Sequence, residues 1–155
     1  MRSKVFLGLG SNLGDRKENL ACAIRLIGER VGKVLRVSSF IETEPWGFDS
    51  PHHFLNMAVK VLTQLYPLDV LKASKDIEKE MGRTSKTGTD GYHDRIIDID
   101  ILMYDEVIME SPELTIPHKL MHRRRFVLEP LAEIAPEMEH PLLHKTVKQL
   151  LSETD

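Results

Sequence analysis

The spacing of apolar residues along the chain alternates between the period of a β-strand and that of an α-helix. Strand-type patterns, rich in branched residues or strictly alternating, occupy residues 5–9, 34–43, 55–61 and 96–104. Helix-type patterns lie between them, from Asp15 to Arg30 and from Pro67 to Met81, and each begins at a residue suited to a helix start. In chain order these segments give β-α-β-β-α-β, which predicts an α+β fold, a ferredoxin-like sandwich.

The remaining segments carry weaker patterns. Residues 107–109 follow a tight turn and are predicted to return along the last strand as a hairpin, and short helices are expected near 128–135 and 146–151. The polar stretch 82–94 is too long for a simple turn, and loops of that kind are usually functional or mobile. Because no repeat or flexible linker divides the sequence, residues 1–155 are predicted to form one domain with a C-terminal extension.

Composition narrows the class of protein. The chain has 155 residues, 41% of them hydrophobic and 29% charged, which is typical of a globular domain. Its net charge of −3 argues against general attraction to nucleic acid or to an anionic membrane. The single cysteine, Cys22, has no internal disulfide partner, and no apolar stretch reaches the length of a membrane span. We therefore expect a cytoplasmic protein.

Two aspartates interrupt the most apolar predicted strand. The period of two places Asp98 and Asp100 on one face. The other face is predicted to hold Ile97, Ile99, Ile101 and Met103. Two carboxylates about 6.5 Å apart repel by roughly 2–3 kcal/mol at an effective dielectric of about 20. Oxygen ligands in this number suit magnesium completed by phosphate and water, although an ordinary solvated strand face remains the alternative.

Basic residues gather on both sides of this strand in the sequence. Arg83, Lys86 and Arg95 precede it. The cations that follow it are His118, Lys119, His122, Arg123, Arg124 and Arg125. Cations around an acidic strand in a net-negative protein favour a site for a metal and a polyphosphate. Phosphoryl transfer needs charge neutralisation and positioning more than a covalent nucleophile, and no nucleophile stands out here.

Two further features bear on ligand binding. The run Gly8–Gly14 after the first strand misses the dinucleotide-binding glycine spacing by one residue, so it is predicted to be a tight strand-to-helix turn. Asn56 is a polar residue inside an alternating apolar strand. Its amide needs hydrogen-bond partners, and the edge of a heterocycle would supply them.

Several motifs, taken together, resemble one enzyme family. They are Leu9–Gly14, Thr43–Gly47, Phe54–Asn56, Arg95–Ile101, Ile116–His118 and Arg124–Leu131. In this order, over nearly the whole chain, they resemble 6-hydroxymethyl-7,8-dihydropterin pyrophosphokinase of folate biosynthesis. The resemblance implies transfer of the β,γ-diphosphate of ATP to the hydroxymethyl group of the dihydropterin, which leaves AMP. It implies only these small-molecule substrates, with no nucleic acid, membrane or obligate protein partner.

The same resemblance implies roles for individual residues. Asp98 and Asp100 would bind two magnesium ions that bridge the triphosphate, and Arg83 and Arg95 would steady the phosphates as catalytic residues. The further contacts to ATP would come from Glu78, Thr115, His118 and Arg124. Those to the pterin would come from Thr43, Glu44, Pro45, Trp46, Phe54, Asn56 and Phe126. In this set, Phe54 and Phe126 would sandwich the ring and Asn56 would bind its amide edge.

The chain departs from the common pattern of the family in the polar stretch. The family usually carries Trp-Gly-Pro before the arginine matched by Arg95, whereas this chain has Tyr92-His93-Asp94 after an apparent lengthening at Gly88–Gly91. Tyr92 is a candidate to replace the tryptophan, and the alignment of Lys86 stays open. Phe54 keeps the ring but lacks the hydroxyl of the tyrosine that is common there.

Two other functions are compatible with parts of the pattern. A two-metal nucleotidyltransferase also places carboxylates on a ferredoxin-like sheet, but it would release pyrophosphate instead of AMP. RNA-recognition modules share the β-α-β-β-α-β order, yet they need aromatic residues on the central strands, and this chain lacks that pattern.

Overall fold

The predicted order of strands and helices is present in the computed structural model, which describes residues 2–44, 52–82 and 95–154. The strands are β1 (Ser3–Ser11), β2 (Gly32–Val37), β3 (Ile41–Thr43), β4 (Phe54–Thr63), β5 (Asp98–Tyr104), β6 (Met109–Glu110) and β7 (Thr115–Ile116). The helices are α1 (Arg16–Arg30), α2 (Pro67–Glu80), α3 (Arg125–Ile134) and α4 (Val147–Ser152), with one 3₁₀ turn at Met121–Arg123. The polar stretch predicted to be functional falls almost entirely on residues 83–94, outside the described residues.

The main sheet has the order β2-β4-β1-β5, and every neighbouring pair is antiparallel. This is the arrangement of a ferredoxin-like sandwich, so the predicted fold class is confirmed. Helices α1 and α2 cover one face, while α3 and α4 from the C-terminal extension cover the other. No helix in the described part of the chain is both long and apolar enough to cross a membrane.

The central strand β1 shows how the sequence builds the two faces. Val5, Leu7 and Leu9 point to the α1–α2 side and are at most 2% exposed. Phe6 points to the opposite side and packs in the core beneath α3 and α4. The alternation follows from the strand period of two, and both faces are apolar because helices cover both.

The helix starts follow their sequence signals. Asp15 is the N-cap of α1, and its side chain accepts a hydrogen bond from the backbone N–H of Glu18. Pro67 stands in the first turn of α2, where its missing N–H removes no helical hydrogen bond. Both predicted starts are confirmed.

Two strand predictions were wrong in detail: one predicted strand is interrupted, and another shifts its register. The segment 34–43, predicted as one strand, breaks at Ser38, whose Oγ accepts a hydrogen bond from Ala58 N at 2.8 Å. In β5 the pairing with β1 shifts by one residue between Ile101 and Met103. Met103 therefore packs beneath α3 and α4 instead of sharing the face of the isoleucines.

The predicted hairpin after β5 was also wrong. The chain does turn after Tyr104, with the N–H of Val107 donating to its carbonyl. The next strand, β6, pairs with β7 and not with β5. The short β6–β7 ribbon instead approaches the end of the sheet, with β7 in contact with β5.

Candidate active site

A cavity of about 290 Å³ opens along the outer edge of β5, between α2 and the segment around β7. It is lined by Leu71, Lys75, Glu78, Arg95, Asp98, Ile99, Asp100, Ile101, Glu113, Leu114, Thr115, His118 and Lys119. Within the described part of the chain no strand pairs with this edge of β5, because β5 is the last strand of the sheet. The fold thus brings together six of the residues predicted to bind ATP or metal.

The two aspartates lie side by side at the start of β5. Asp98 pairs with Gly10 and Asp100 with Gly8 on β1, so both aspartate side chains lie on the same face of the sheet. Arg95 holds Asp98 through an Nη1–Oδ1 contact of 2.7 Å. Burial, followed by the charges of Asp98 and Glu78, raises the pKa of Asp100 to about 8. The pair is therefore a place where added positive charge is strongly favoured.

Glu78 completes this acidic group from helix α2. It is only 5% exposed, and its Oε2 accepts the backbone N–H of Ile99 at 2.7 Å. Ile99 lies between the two aspartates, so the Glu78 carboxylate is fixed to the strand that carries them. The contact of Glu78 with the β5 backbone is one that the sequence did not predict.

The backbone of Arg95 is held by Asn12, the residue that follows β1. Its N–H donates to Asn12 Oδ1 at 2.6 Å, and its carbonyl accepts the N–H of Asn12 at 3.0 Å. The Nδ2 of the same asparagine donates to the carbonyl of His52 at 3.1 Å. One buried amide thus ties the predicted phosphate-binding arginine to the residues just before β4.

His118 presents a neutral ring to the cavity. Its backbone N–H donates to the Leu102 carbonyl, and its Nδ1 accepts the N–H of Leu120 at 3.2 Å. Because Nδ1 is an acceptor, the neutral imidazole carries its proton on Nε2. Burial and the charge of Arg124 lower the pKa of His118 to about 4. The ring is therefore a hydrogen-bond donor at neutral pH, and not a cation.

Three of the residues predicted to bind the pterin lie on β3 and β4. Thr43 pairs with Phe54 across the strands, and its Oγ1 accepts a hydrogen bond from Asn56 Nδ2 at 2.7 Å. The polar residue inside β4 therefore has a partner within the protein, as its burial requires. On the neighbouring strand, Gly10 faces Asn56, and a Cβ placed there would lie 3.0 Å from its Oδ1. Glycine thus preserves the space beside the amide.

Two further predicted residues, Arg124 and Phe126, lie at the start of helix α3. Arg124 is the N-cap residue, 8% exposed, and its guanidinium carbon lies 5.5 Å from the centre of the Phe126 ring. Helix α3 packs against β4 and β3, which carry Asn56 and Thr43. Glu44 is exposed at the end of a described range. Three predicted site residues, Pro45, Trp46 and Arg83, lie outside the described residues, as do Lys86 and Tyr92.

The residues that sequence reasoning missed stand on the cavity wall. Lys75 is one turn before Glu78 on α2, and helical periodicity would have placed the two side by side. Glu113 comes just before Thr115, and Lys119 just after His118. Lys119 was noted only as part of a basic run, whereas no pattern in the sequence marked Glu113.

A metal would have to draw on more than protein ligands here. Among residues 2–44, 52–82 and 95–154, no group of three or more His, Cys, Asp or Glu forms a ready-made metal site. Asp98 and Asp100 supply carboxylate oxygens, and burial together with the charges of Asp98 and Glu78 raises the pKa of Asp100. This donor set fits magnesium, which takes one or two carboxylates and completes its shell with phosphate and water.

Comparison with known proteins identifies the family. Residues 6–136 match the family model of 7,8-dihydro-6-hydroxymethylpterin-pyrophosphokinase. The chain is 50% identical over 138 residues to the 2-amino-4-hydroxy-6-hydroxymethyldihydropteridine pyrophosphokinase of Porphyromonas gingivalis, covering 88% of this chain and 93% of the relative. It is 39% identical over 140 residues to the enzyme of the same name from Bacillus subtilis, covering 90% and 82%.

Solved structures show the same fold. A structure described as HPPK-DHPS in complex with substrates matches 98% of this chain and 43% of its own, with a TM-score of 0.81 and 17% identity. Wild-type HPPK-DHPS of Plasmodium falciparum matches 99% of this chain and 45% of its own, with a TM-score of 0.79 and 19% identity. The chain thus spans less than half the length of these solved chains.

Proposed function

Because the chain belongs to the 7,8-dihydro-6-hydroxymethylpterin pyrophosphokinase family, we propose that it transfers the β,γ-diphosphate of ATP to the hydroxymethyl group of 6-hydroxymethyl-7,8-dihydropterin. The products are AMP and the pterin diphosphate, an intermediate of folate biosynthesis. The observation that carries this proposal is the match from residue 6 to residue 136, which includes both aspartates of β5 and the residues around them.

The phosphate end of the reaction is assigned to the cavity beside β5. Asp98 and Asp100 are the residues that would hold two magnesium ions. Bound magnesium supplies charge neutralisation at the phosphate oxygens. Arg95, already fixed by Asn12, adds a guanidinium at the edge of the same cavity, and Arg83 is proposed to add a second.

Three neighbouring groups are proposed to position the triphosphate. The Nε2–H of His118 donates to a phosphate oxygen without adding a charge that varies near neutral pH. Thr115 lines the same cavity, and the buried guanidinium of Arg124 stands near His118 and Asp100. These groups reduce the negative charge that an incoming hydroxyl oxygen must approach.

The pterin is proposed to lie over the face of β4, between the rings of Phe54 and Phe126. Asn56, oriented by Thr43, binds the amide edge of the heterocycle. The segment 44–46 adds further contacts through Glu44, Pro45 and Trp46. The hydroxymethyl oxygen of the pterin then attacks the β-phosphorus and releases its proton to water, and the bond from that phosphorus to the oxygen bridging the α- and β-phosphates breaks, so AMP leaves.

The covered sheet argues against the RNA-binding alternative. Modules of that kind stack bases on an open sheet face with exposed aromatic residues. Here the corresponding face is covered by α3 and α4, and Phe6 at its centre is 2% exposed. We therefore propose small-molecule substrates alone for residues 1–155 acting as one domain.

The test is the nucleotide product. Purified protein is incubated with ATP, magnesium and the hydroxymethyl pterin, and nucleotides are separated by chromatography. We expect AMP and the pterin diphosphate in equal amounts, with none formed when magnesium or pterin is omitted. Release of pyrophosphate would assign the chain to nucleotidyl transfer, and ADP would assign it to single phosphoryl transfer. Either result contradicts the proposal.

A further inference from the structure

The two edges of β5, the strand that carries both aspartates, differ in their hydrogen-bonded partners. On one edge β5 pairs with β1, and this pairing loses its regular register just beyond Asp100. On the other edge, within the described part of the chain, no strand pairs with it. An edge strand presents outward-facing N–H groups that need partners from elsewhere.

Glu78 satisfies the N–H that lies between the two aspartates. Its Oε2 accepts from Ile99 N at 2.7 Å, and the side chain is anchored on α2, which packs against β5. A third buried carboxylate beside two others is electrostatically unfavourable, and it contributes to the raised pKa of Asp100. Glu78 fixes the strand in spite of its charge.

We propose that Glu78 is a positioning residue for the metal-binding aspartates: it holds the backbone of Ile99, and through it the spacing of Asp98 and Asp100. This inference rests on the proposed function, because it gives the two aspartates the role of metal ligands. It differs from the direct contact with ATP that the family resemblance implies for this residue. Groups that orient a metal ligand without touching the metal typically change metal affinity 10–100-fold when they are replaced.

A matched pair of substitutions separates position from charge. Glu78→Gln keeps the length of the side chain and an acceptor oxygen, but removes the charge. Glu78→Asp keeps the charge but is one methylene too short to reach Ile99 N from the same helix position. If Glu78 acts by position, the glutamine variant resembles the wild type and the aspartate variant does not. If it acts by charge, the order is reversed.

Metal binding is measured without turnover. Electron paramagnetic resonance follows Mn²⁺ binding to wild type and both variants in the presence of a non-hydrolysable ATP analogue. We expect the dissociation constant for Mn²⁺ to rise about tenfold in Glu78→Asp and to stay within about threefold of wild type in Glu78→Gln. Hydrogen exchange of the Ile99 amide, followed by NMR, should be slow in wild type and in Glu78→Gln and fast in Glu78→Asp.

Two outcomes of these measurements would contradict the proposal. Weaker Mn²⁺ binding in Glu78→Gln than in Glu78→Asp would assign the effect to charge and overturn the proposal. An unchanged Mn²⁺ constant in both variants, with a raised KM for ATP, would assign Glu78 to direct nucleotide binding and also overturn it. Asp76→Asn, on the exposed side of α2, controls for general effects on the helix. If wild type forms no AMP at all, it is the proposed function that fails, since the exchange result for Ile99 does not depend on activity.

Discussion

Replacing Asp100 by asparagine should stabilise the metal-free protein in a way that depends on pH. In the folded state the pKa of Asp100 is raised from 3.8 to about 8, first by burial and then by the charges of Asp98 and Glu78. The folded protein therefore binds a proton that the unfolded chain releases above pH 4. By linkage, the contribution of this group to stability is full below pH 4 and is lost as the pH rises towards 8.

The size of the effect follows from the two pKa values. Each unit of pKa difference corresponds to about 1.36 kcal/mol, so the pKa difference between 3.8 and about 8 limits the stability lost when Asp100 ionises to roughly 6 kcal/mol. Repulsion from a single carboxylate about 6.5 Å away accounts for roughly 2–3 kcal/mol at an effective dielectric of about 20. Water and the neighbouring groups relax when Asp100 ionises. We therefore expect Asp100→Asn to be more stable than wild type by roughly 2–3 kcal/mol at pH 8.

The assay is urea unfolding at several pH values between 4 and 8 in the presence of a chelator. The stability difference between Asp100→Asn and wild type should be near zero at pH 4 and largest at pH 8. At the upper end it corresponds to a rise in Tm of roughly 5–10 °C. Glu106→Gln, which removes an exposed carboxylate from the turn after β5, controls for the loss of one negative charge.

Two results would refute this reasoning. One is a difference that does not change between pH 4 and pH 8, and the other is an asparagine variant less stable than wild type at pH 8. Added magnesium and a non-hydrolysable ATP analogue should narrow this difference. At a ligand concentration about 100 times the dissociation constant, wild type would gain roughly 2.7 kcal/mol, and Asp100→Asn would gain less.

Three further substitutions test other parts of the site. The pKa of His118 is lowered from 6.5 to about 4, so between these pH values unfolding takes up a proton and the free energy of unfolding falls as the pH drops. In urea melts, the stability of His118→Gln should therefore fall less than that of wild type between pH 6.5 and pH 4. Gly10→Ala would place a Cβ 3.0 Å from Asn56 Oδ1, so steady-state kinetics should show a KM for the pterin raised roughly fivefold, about 1 kcal/mol, and an unchanged KM for ATP. Glu133 accepts hydrogen bonds from Ser39 N and Oγ, and these bonds lower the pKa of its carboxyl group. In urea melts, Glu133→Gln should therefore lower the free energy of unfolding by roughly 0.5–1 kcal/mol at pH 7 and leave it unchanged well below pH 4.

The fold was predictable because its elements are long and their apolar periods are clear. Strands β1 and β4 are buried along most of their length, helices α1 and α2 each bury one stripe, and the apolar pattern of the sequence records both. The break at Ser38 and the register shift before Met103 were not predictable. Each depends on a single inserted residue, which leaves the average pattern of hydrophobic positions almost unchanged.

The ribbon β6–β7 was missed for a different reason. Strands of two residues carry no period of their own, and their pairing depends on where the end of the sheet lies. The same limit applies to the site. The pair of aspartates was evident from the sequence, whereas the hydrogen bond from Ile99 to Glu78 joins residues far apart in the chain and involves a backbone atom. No pattern of side chains records a contact of that kind.

The register of the sheet explains how the two proposed ligand positions are kept at a fixed distance. Asn56 on β4, Gly10 on β1 and Asp98 on β5 are direct cross-strand partners, and Ala58, Gly8 and Asp100 form the next such row on the same face. Neighbouring strands lie about 4.8 Å apart, so β4, which is proposed to bind the pterin edge, and β5, which is proposed to bind the metal, are separated by roughly 10 Å. Gly10 in the middle of the first row adds no side chain beside Asn56, where a Cβ would lie 3.0 Å from Oδ1. Because this spacing belongs to the hydrogen-bonded sheet, it exists before either substrate binds, and the orientation of the hydroxyl towards the β-phosphorus requires little further ordering of the protein at these strands.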